Sequence, residues 1–198
     1  MKKIFEFGLN ETEKIVLKSE NDLQETAFCD DIEIDISVGQ EYRLTYDCLQ
    51  YTLLNLIDFL TSAIDNKLQL HNSIKYDLGY LWNEDCSGKS KFNFALEKVG
   101  NINQWVGERY MLWSSPGKFN PRLATWLYND EKGQIVLEVT PSYQWHFQDP
   151  KPDEKYYIYE EFIKNYQPIL FRIISKETAQ NWVTQAQNLL QEIEERSC

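Results

Sequence analysis

An α+β architecture is implied by the residue pattern: a mainly antiparallel sheet of about six to eight strands, with two long amphipathic helices and one short helix packed on one face. Three observations carry this. Residues 122–147 (RLATWLYNDEKGQIVLEVTPSYQWHF) hold two β-branched, aromatic-rich runs around the turn cluster Asn129-Asp130-Glu131-Lys132-Gly133, the pattern of a hairpin. Residues 49–64 and 179–193 repeat apolar side chains at helical spacing. The connections between strands are too short for successive right-handed βαβ crossovers, which favours antiparallel pairing. A hairpin this apolar is not stable alone and needs strands or a helix to cover it. With no repeat, low-complexity tract or Gly/Pro/Ser-rich linker, residues 1–198 are expected to form a single globular domain.

Taken in order, residues 3–9 and 13–19 read as short strands separated by Asn10 and Glu11. In residues 28–37, Ile32, Ile34 and Ile36 alternate with Asp31, Glu33 and Asp35, so one strand face is apolar and the other acidic. A helix follows, with Leu49, Leu53, Leu56, Ile57, Leu60, Ala63 and Ile64 on one face, Leu54 and Phe59 widening the stripe, Thr45 as its N-cap and Asp47 at its positive end. Residues 73–82 and 91–99 read as strands joined by a turn at 84–90, and 110–113 as another strand ended by the turn cluster 114–117. In the hairpin, Tyr128 is set opposite Gln134, and beyond Pro141 the residues Tyr143, Trp145 and Phe147 alternate as an aromatic row. Asp153 can cap a short helix carrying Tyr159, Phe162, Ile163 and Tyr166, which must stop before Pro168. Residues 169–175 form a strand or connector, and Ser175 caps the last helix, striped by Ala179, Trp182, Val183, Ala186, Leu189, Leu190 and Ile193.

A hydrophobic share of 42% and a charged share of 26% are those of a folded domain, not a disordered chain. The net charge of −11 disfavours nucleic-acid and anionic-membrane partners, which need a basic patch, and favours a basic protein partner. Residues 1–40 hold ten acidic and four basic side chains, so this segment contributes −6 of that charge. The row Asp31, Glu33 and Asp35, with neighbouring Asp30, spaces its carboxylates roughly 6.6–6.8 Å apart. That is too wide for two ligands of one metal ion, and suits a line of lysines or arginines; the other reading is a charged edge that blocks strand-to-strand aggregation. Four cysteines without C-x-x-C spacing and an amino-terminal run broken by Glu6 point to a reducing cytoplasm, with no signal peptide.

The sequence calls for no cofactor, no metal and no catalytic residue. Gly88-Lys89-Ser90 resembles part of a phosphate-binding loop, but the glycine required five residues earlier is Asn83. Cys86 could act as a nucleophile only with His71 or His146, and turns also hold idle cysteines. Glu138 interrupts an apolar strand; with Tyr128 opposite Gln134, Trp126 faces Val136 and Ala124 faces Glu138, which near these aromatics reads as a general acid, a cation anchor or a half-exposed polar residue. With Tyr143, Trp145 and His146 it defines a possible aromatic pocket, the alternative being that the aromatic row packs under a helix. An enzyme or small-ligand-binding protein using this pocket around Glu138 and His146 is the alternative to a non-enzymatic binding protein. In size, acidity and aromatic content the chain resembles the immunity proteins that bacteria keep in the cytoplasm to neutralise toxins. That resemblance implies an α+β binding protein with a basic partner, and it assigns a role to no individual residue.

Overall fold

The computed structural model describes residues 1–75, 77–88, 91–114, 122–146, 149–150, 152–153 and 155–197, with the backbone alone at 45–47 and 197. Strands β1 (Lys2–Gly8), β2 (Lys14–Ser19), β3 (Asp31–Ser37) and β4 (Glu41–Cys48) pair antiparallel in that order. Ile32, Ile34 and Ile36 of β3 are fully buried, as the alternation requires. β4 takes residues that the sequence reading gave to a helix cap. Tyr42 and Leu44 stand opposite Ile36 and Ile34, so strand pairing holds this segment extended. Helix α1 (Leu49–Ile64) therefore starts late, with Cys48 and not Thr45 as its N-cap; the side chains of Thr45 and Asp47 lie outside the described residues. Its buried stripe is narrower than expected, since Leu54 is 45% exposed.

Helix α2 (Leu78–Ser87) replaces the strand and turn expected over residues 73–90. Asp77 caps it, accepting from Tyr80 N at 2.6 Å, and Gly88 ends it at φ +63°, a left-handed conformation that suits glycine. A Cβ on Gly79 would lie 2.1 Å from Thr140 Oγ1, so α2 approaches the sheet as closely as only glycine permits. β5 (Leu96–Val99) and β6 (Ile102–Trp105) form a separate hairpin, and β7 (Met111–Ser114) matches the strand expected at 110–113. The turn expected at 114–117 lies mostly outside the described residues.

β8 (Arg122–Asn129) and β9 (Ile135–Ser142) are the anticipated hairpin. Their register differs by two residues from the expected one: Tyr128 stands opposite Val136, and Trp126 opposite Glu138. Because side chains alternate with a period of two, each stays on the face expected for it. Beyond β9 the aromatic row is not a strand, for Gln144–His146 form a short 3₁₀ turn, and Phe147 lies outside the described residues. Helix α3 (Tyr159–Lys164) is capped at Ile158 and not at Asp153. β10 (Leu170–Ile174) pairs with β9, and α4 (Lys176–Ser197) begins under the expected Ser175 cap, whose Oγ accepts from Thr178 N at 3.0 Å.

Among the described residues the strands thus make three antiparallel sheets, β1-β2-β3-β4, β10-β9-β8-β7 and β5-β6, where a single sheet was expected. Both four-stranded sheets share one apolar core with α1 and α4; Leu127, Leu137, Ile34, Leu56 and Trp182 are among its members. The opposite face of β8 and β9 meets a second core, in which Ala124, Trp126 and Val136 pack with Leu78 and Leu81 of α2 and Trp105 of β6. A third, small cluster joins Tyr143 and Trp145 to Phe162 of α3.

Truncation of either long helix at its buried stripe should be costly. Leu56→Ala and Trp182→Ala are each expected to lower unfolding free energy by about 2–5 kcal/mol, against less than about 0.5 kcal/mol for exposed Leu54→Ala. Urea denaturation measures all three, and a Trp182→Ala loss as small as that of Leu54→Ala would mean that α4 does not close the core.

Candidate functional site

The acidic face of β3 divides into a neutralised part and an open part. Arg43 stands directly opposite Asp35 and Lys18 opposite Glu33, because of how β2 and β4 register on β3. Asp35 is 1% exposed; Arg43 Nε lies 3.0 Å from its Oδ1, and Lys18 Nζ also binds the carboxylate. Arg43 Nε reaches Glu33 Oε2 at 3.4 Å as well, and the hydrogen bond to Asp35 is the main reason its own pKa is raised. Asp35 is therefore an internal anchor and not the free partner-binding carboxylate expected from sequence. Removing one member of such a buried pair leaves the other uncompensated.

The open part lies where β2 runs into its connection to β3. Glu20, Asp30, Asp31 and Glu33 line a cleft of about 300 Å³, together with Met1, Ser19, Asn21 and Ile32. Asp30 is held in place, its Oδ2 accepting from Asn21 Nδ2 at 2.9 Å and from Ala27 N at 3.1 Å, while Asp31 and Glu20 are exposed. Glu20 was missed by the sequence reading, since only the β2–β3 connection brings it beside the row. Among the described residues, no group of three or more His, Cys, Asp or Glu side chains is placed to hold a metal ion.

Glu138 lies in the second core, 3% exposed, and its surroundings are polar in a specific way. Tyr128 donates its hydroxyl to Glu138 Oε2 at 3.2 Å, and the Asp77 and Glu138 side chains are hydrogen-bonded to one another. Tyr166 donates its hydroxyl to Asp77 Oδ1, and Trp126 Nε1 donates to Thr140 Oγ1 at 2.9 Å. Burial, followed by the hydrogen bond with Asp77 and its charge, pushes the Glu138 carboxyl up to about 9. At neutral pH Glu138 is thus an acid that donates to Asp77, which in turn caps α2. Burial raises the Tyr128 and Tyr166 hydroxyls too, with the nearby carboxylates adding to it, so both hydroxyls stay protonated.

Trp126 and Glu138 do not share a cavity with the remaining expected pocket residues. Tyr143, Trp145 and His146 line a separate cavity of about 320 Å³, with Cys86 and Ser87 from the end of α2 and Tyr156, Ile158, Tyr159 and Glu160 from the approach to α3. Asn83 shapes its edge. Its Nδ2 donates to Pro141 O at 3.0 Å and its Oδ1 accepts from Tyr143 N at 2.7 Å, tying the end of β9 to α2. The residue that spoils the phosphate-loop pattern is therefore a clamp, and Lys89 and Ser90 lie outside the described residues. The structure does bring Cys86 and His146 to one cavity, which separation in sequence concealed. Burial, with Asp85 and Glu108, pushes the Cys86 thiol up to about 12, and burial, with Arg122, lowers His146 to about 4. Both are neutral at pH 7, the opposite of a thiolate–imidazolium pair. His71 is elsewhere and exposed, its Nδ1 2.8 Å from Ser73 Oγ.

The raised Glu138 carboxyl fixes a pH dependence of stability. Between about pH 4.5 and 9 the unfolded chain releases this proton while the folded chain keeps it, so stability falls as pH rises, by up to about 1.4 kcal/mol per unit, and levels off above the folded value. Glu138→Gln, which preserves a donor toward Asp77, should flatten this slope, so that its stability relative to the wild type climbs from pH 5 to pH 9 in urea titrations. Parallel curves for the two proteins would mean that Glu138 is ionised at neutral pH. Comparison of the chain with protein-family models, with curated proteins and with solved structures returns no match, so the geometry above is what bears on function.

Proposed function

We propose that this chain is a non-enzymatic, protein-binding domain of the immunity type, which neutralises a basic partner in the bacterial cytoplasm by taking its lysine or arginine side chains into the acidic cleft. The observation that carries the reading is the cleft lining: Glu20 and Asp31 are exposed there beside Asp30 and the Glu33 that Arg43 reaches, and among the described lining residues none is a lysine or arginine. The net charge of −11 supports it by steering a cationic partner toward the surface, an effect on association rate more than on final affinity. Asp35 serves the site indirectly, since its pairing with Lys18 and Arg43 keeps β3 rigid beneath the cleft. In this reading the chain is one domain, with both long helices on one face as a stiff back to the sheets. Catalysis by Glu138 with His146 has less support, because the two line no common cavity and Glu138 is enclosed by Tyr128 and Asp77.

A lysine-rich peptide serves as the probe, with association followed by interferometry over a range of salt. Its association rate is expected to fall as ionic strength rises, and Glu20→Gln and Asp31→Asn should each weaken binding by about two- to fivefold. Glu131→Gln with Glu177→Gln, in the β8–β9 turn and at the start of α4, removes two exposed negative charges at the opposite end of α1 from Asp30. If this control weakens the peptide as much as Glu20→Gln with Asp31→Asn, the binding follows net charge alone and the cleft has no special role.

A further inference from the structure

We infer that the aromatic cavity between the end of α2, the turn after β9 and the start of α3 binds a small organic cation, an alkylated ammonium group. This site is separate from the acidic cleft and does not depend on it. Its walls are rings set at steep angles to one another: Tyr143 and Trp145 at 5.6 Å and 67°, Tyr143 and Tyr159 at 5.4 Å and 76°, Trp145 and Tyr156 at 5.1 Å and 78°. These rings meet edge to face and not as a stack, and the negative faces of aromatic rings attract a cation placed against them. A volume of about 320 Å³ suits a head group better than a large ligand.

The surrounding charge has the matching sign. Glu160 lines the cavity, and Glu84 accepts the Tyr159 hydroxyl at 2.7 Å. Asp85 and Glu108 lie close enough to raise the Cys86 thiol. Among the described lining residues none is a lysine or arginine, and His146 is neutral at pH 7, its pKa lowered by burial and by the charge of Arg122.

The hydrogen-bonding state of the walls selects among cations. The Tyr159 hydroxyl is engaged by Glu84, and the Tyr143 hydroxyl donates to Tyr157 O at 3.0 Å. Among the described lining residues Glu160 supplies the carboxylate acceptor, one partner for the three N–H donors of a primary ammonium, whereas a quaternary one has no donors and is satisfied by π faces and diffuse negative potential.

Calorimetric titration with choline, against its uncharged isostere 3,3-dimethyl-1-butanol, tests the assignment. Choline is expected to bind about 2- to 30-fold more tightly than the isostere. Tyr156→Leu, at a rim position that is 49% exposed, should remove most of that difference without weakening the isostere, and Glu160→Gln should reduce it further. A peptide containing trimethyllysine, run beside its unmodified lysine form, separates a protein-borne cation from a free one: methylated peptide binding above choline assigns the former, and choline binding alone assigns the latter. Equal affinity for choline and its isostere, or no saturable binding of choline or the methylated peptide in the millimolar range, overturns the inference. Loss of peptide capture at the acidic cleft leaves it untouched.

Discussion

Burial of β8 and β9 on both faces governs this structure. Every residue of β8 is buried, and so are the first six of β9, although the pair includes Thr125, Asn129, Glu138 and Thr140. A polar group in that position must find a partner inside the protein, and several of these partners belong to neighbouring elements. Thr125 Oγ1 accepts from Trp113 N and donates to Trp113 O, which seats β7. Asn129 donates to Ala63 O at the end of α1 and accepts from Leu68 N. Glu138 meets Asp77, the cap of α2, which fixes α2 on the other face, and Thr140 accepts from Trp126 within the hairpin. Apolar area holds the hairpin in the interior, and its few polar groups decide where the neighbours sit.

The same constraint creates the cavity. Pro141 provides no N–H to continue the ladder, and Asn83 takes its carbonyl and the next free amide, so β9 ends against α2. The chain then turns through residues 144–146, and Tyr143 and Trp145, which would have stood on one strand face, instead meet Phe162 of α3. Fold and cavity therefore share a hinge point. Changes at Asn83 bear on both.

What could be read from the residue order was local periodicity. The isoleucines of β3, the hairpin, the stripe of α1 and the Ser175 cap of α4 each declare themselves within a few residues. α2 did not, because Leu78 and Leu81 are its only large buried apolar residues and Tyr80 and Trp82 between them imitate strand alternation. The division into three sheets was hidden for a related reason: periodicity shows that a segment is a strand and not which strand it joins. The charge state of the acidic row was also beyond reach. Whether Asp35 is free depends on Arg43 and Lys18 lying opposite β3, and register is a long-range property. Cys86 and His146 lining one cavity is a non-local fact of the same kind.

Excess negative charge on a chain says little until burial sorts it. Here three outcomes coexist. Asp35 is neutralised by Lys18 and Arg43, and Glu13 by Arg172, whose Nε lies 2.6 Å from its Oε2 and so ties the start of β2 to β10. Glu138 keeps its proton, because an ionised carboxyl beside Asp77 in the core would be desolvated and repelled at once. Glu20 and Asp31 have no ion pair among the described residues and remain in water, where they act over about a Debye length. The first two groups contribute to the fold and are of no use to a visitor. The third group leaves its charge in solvent, and at one end of the first sheet it includes Glu20 and Asp31, which lie beside the Asp30 that Asn21 and Ala27 hold in place.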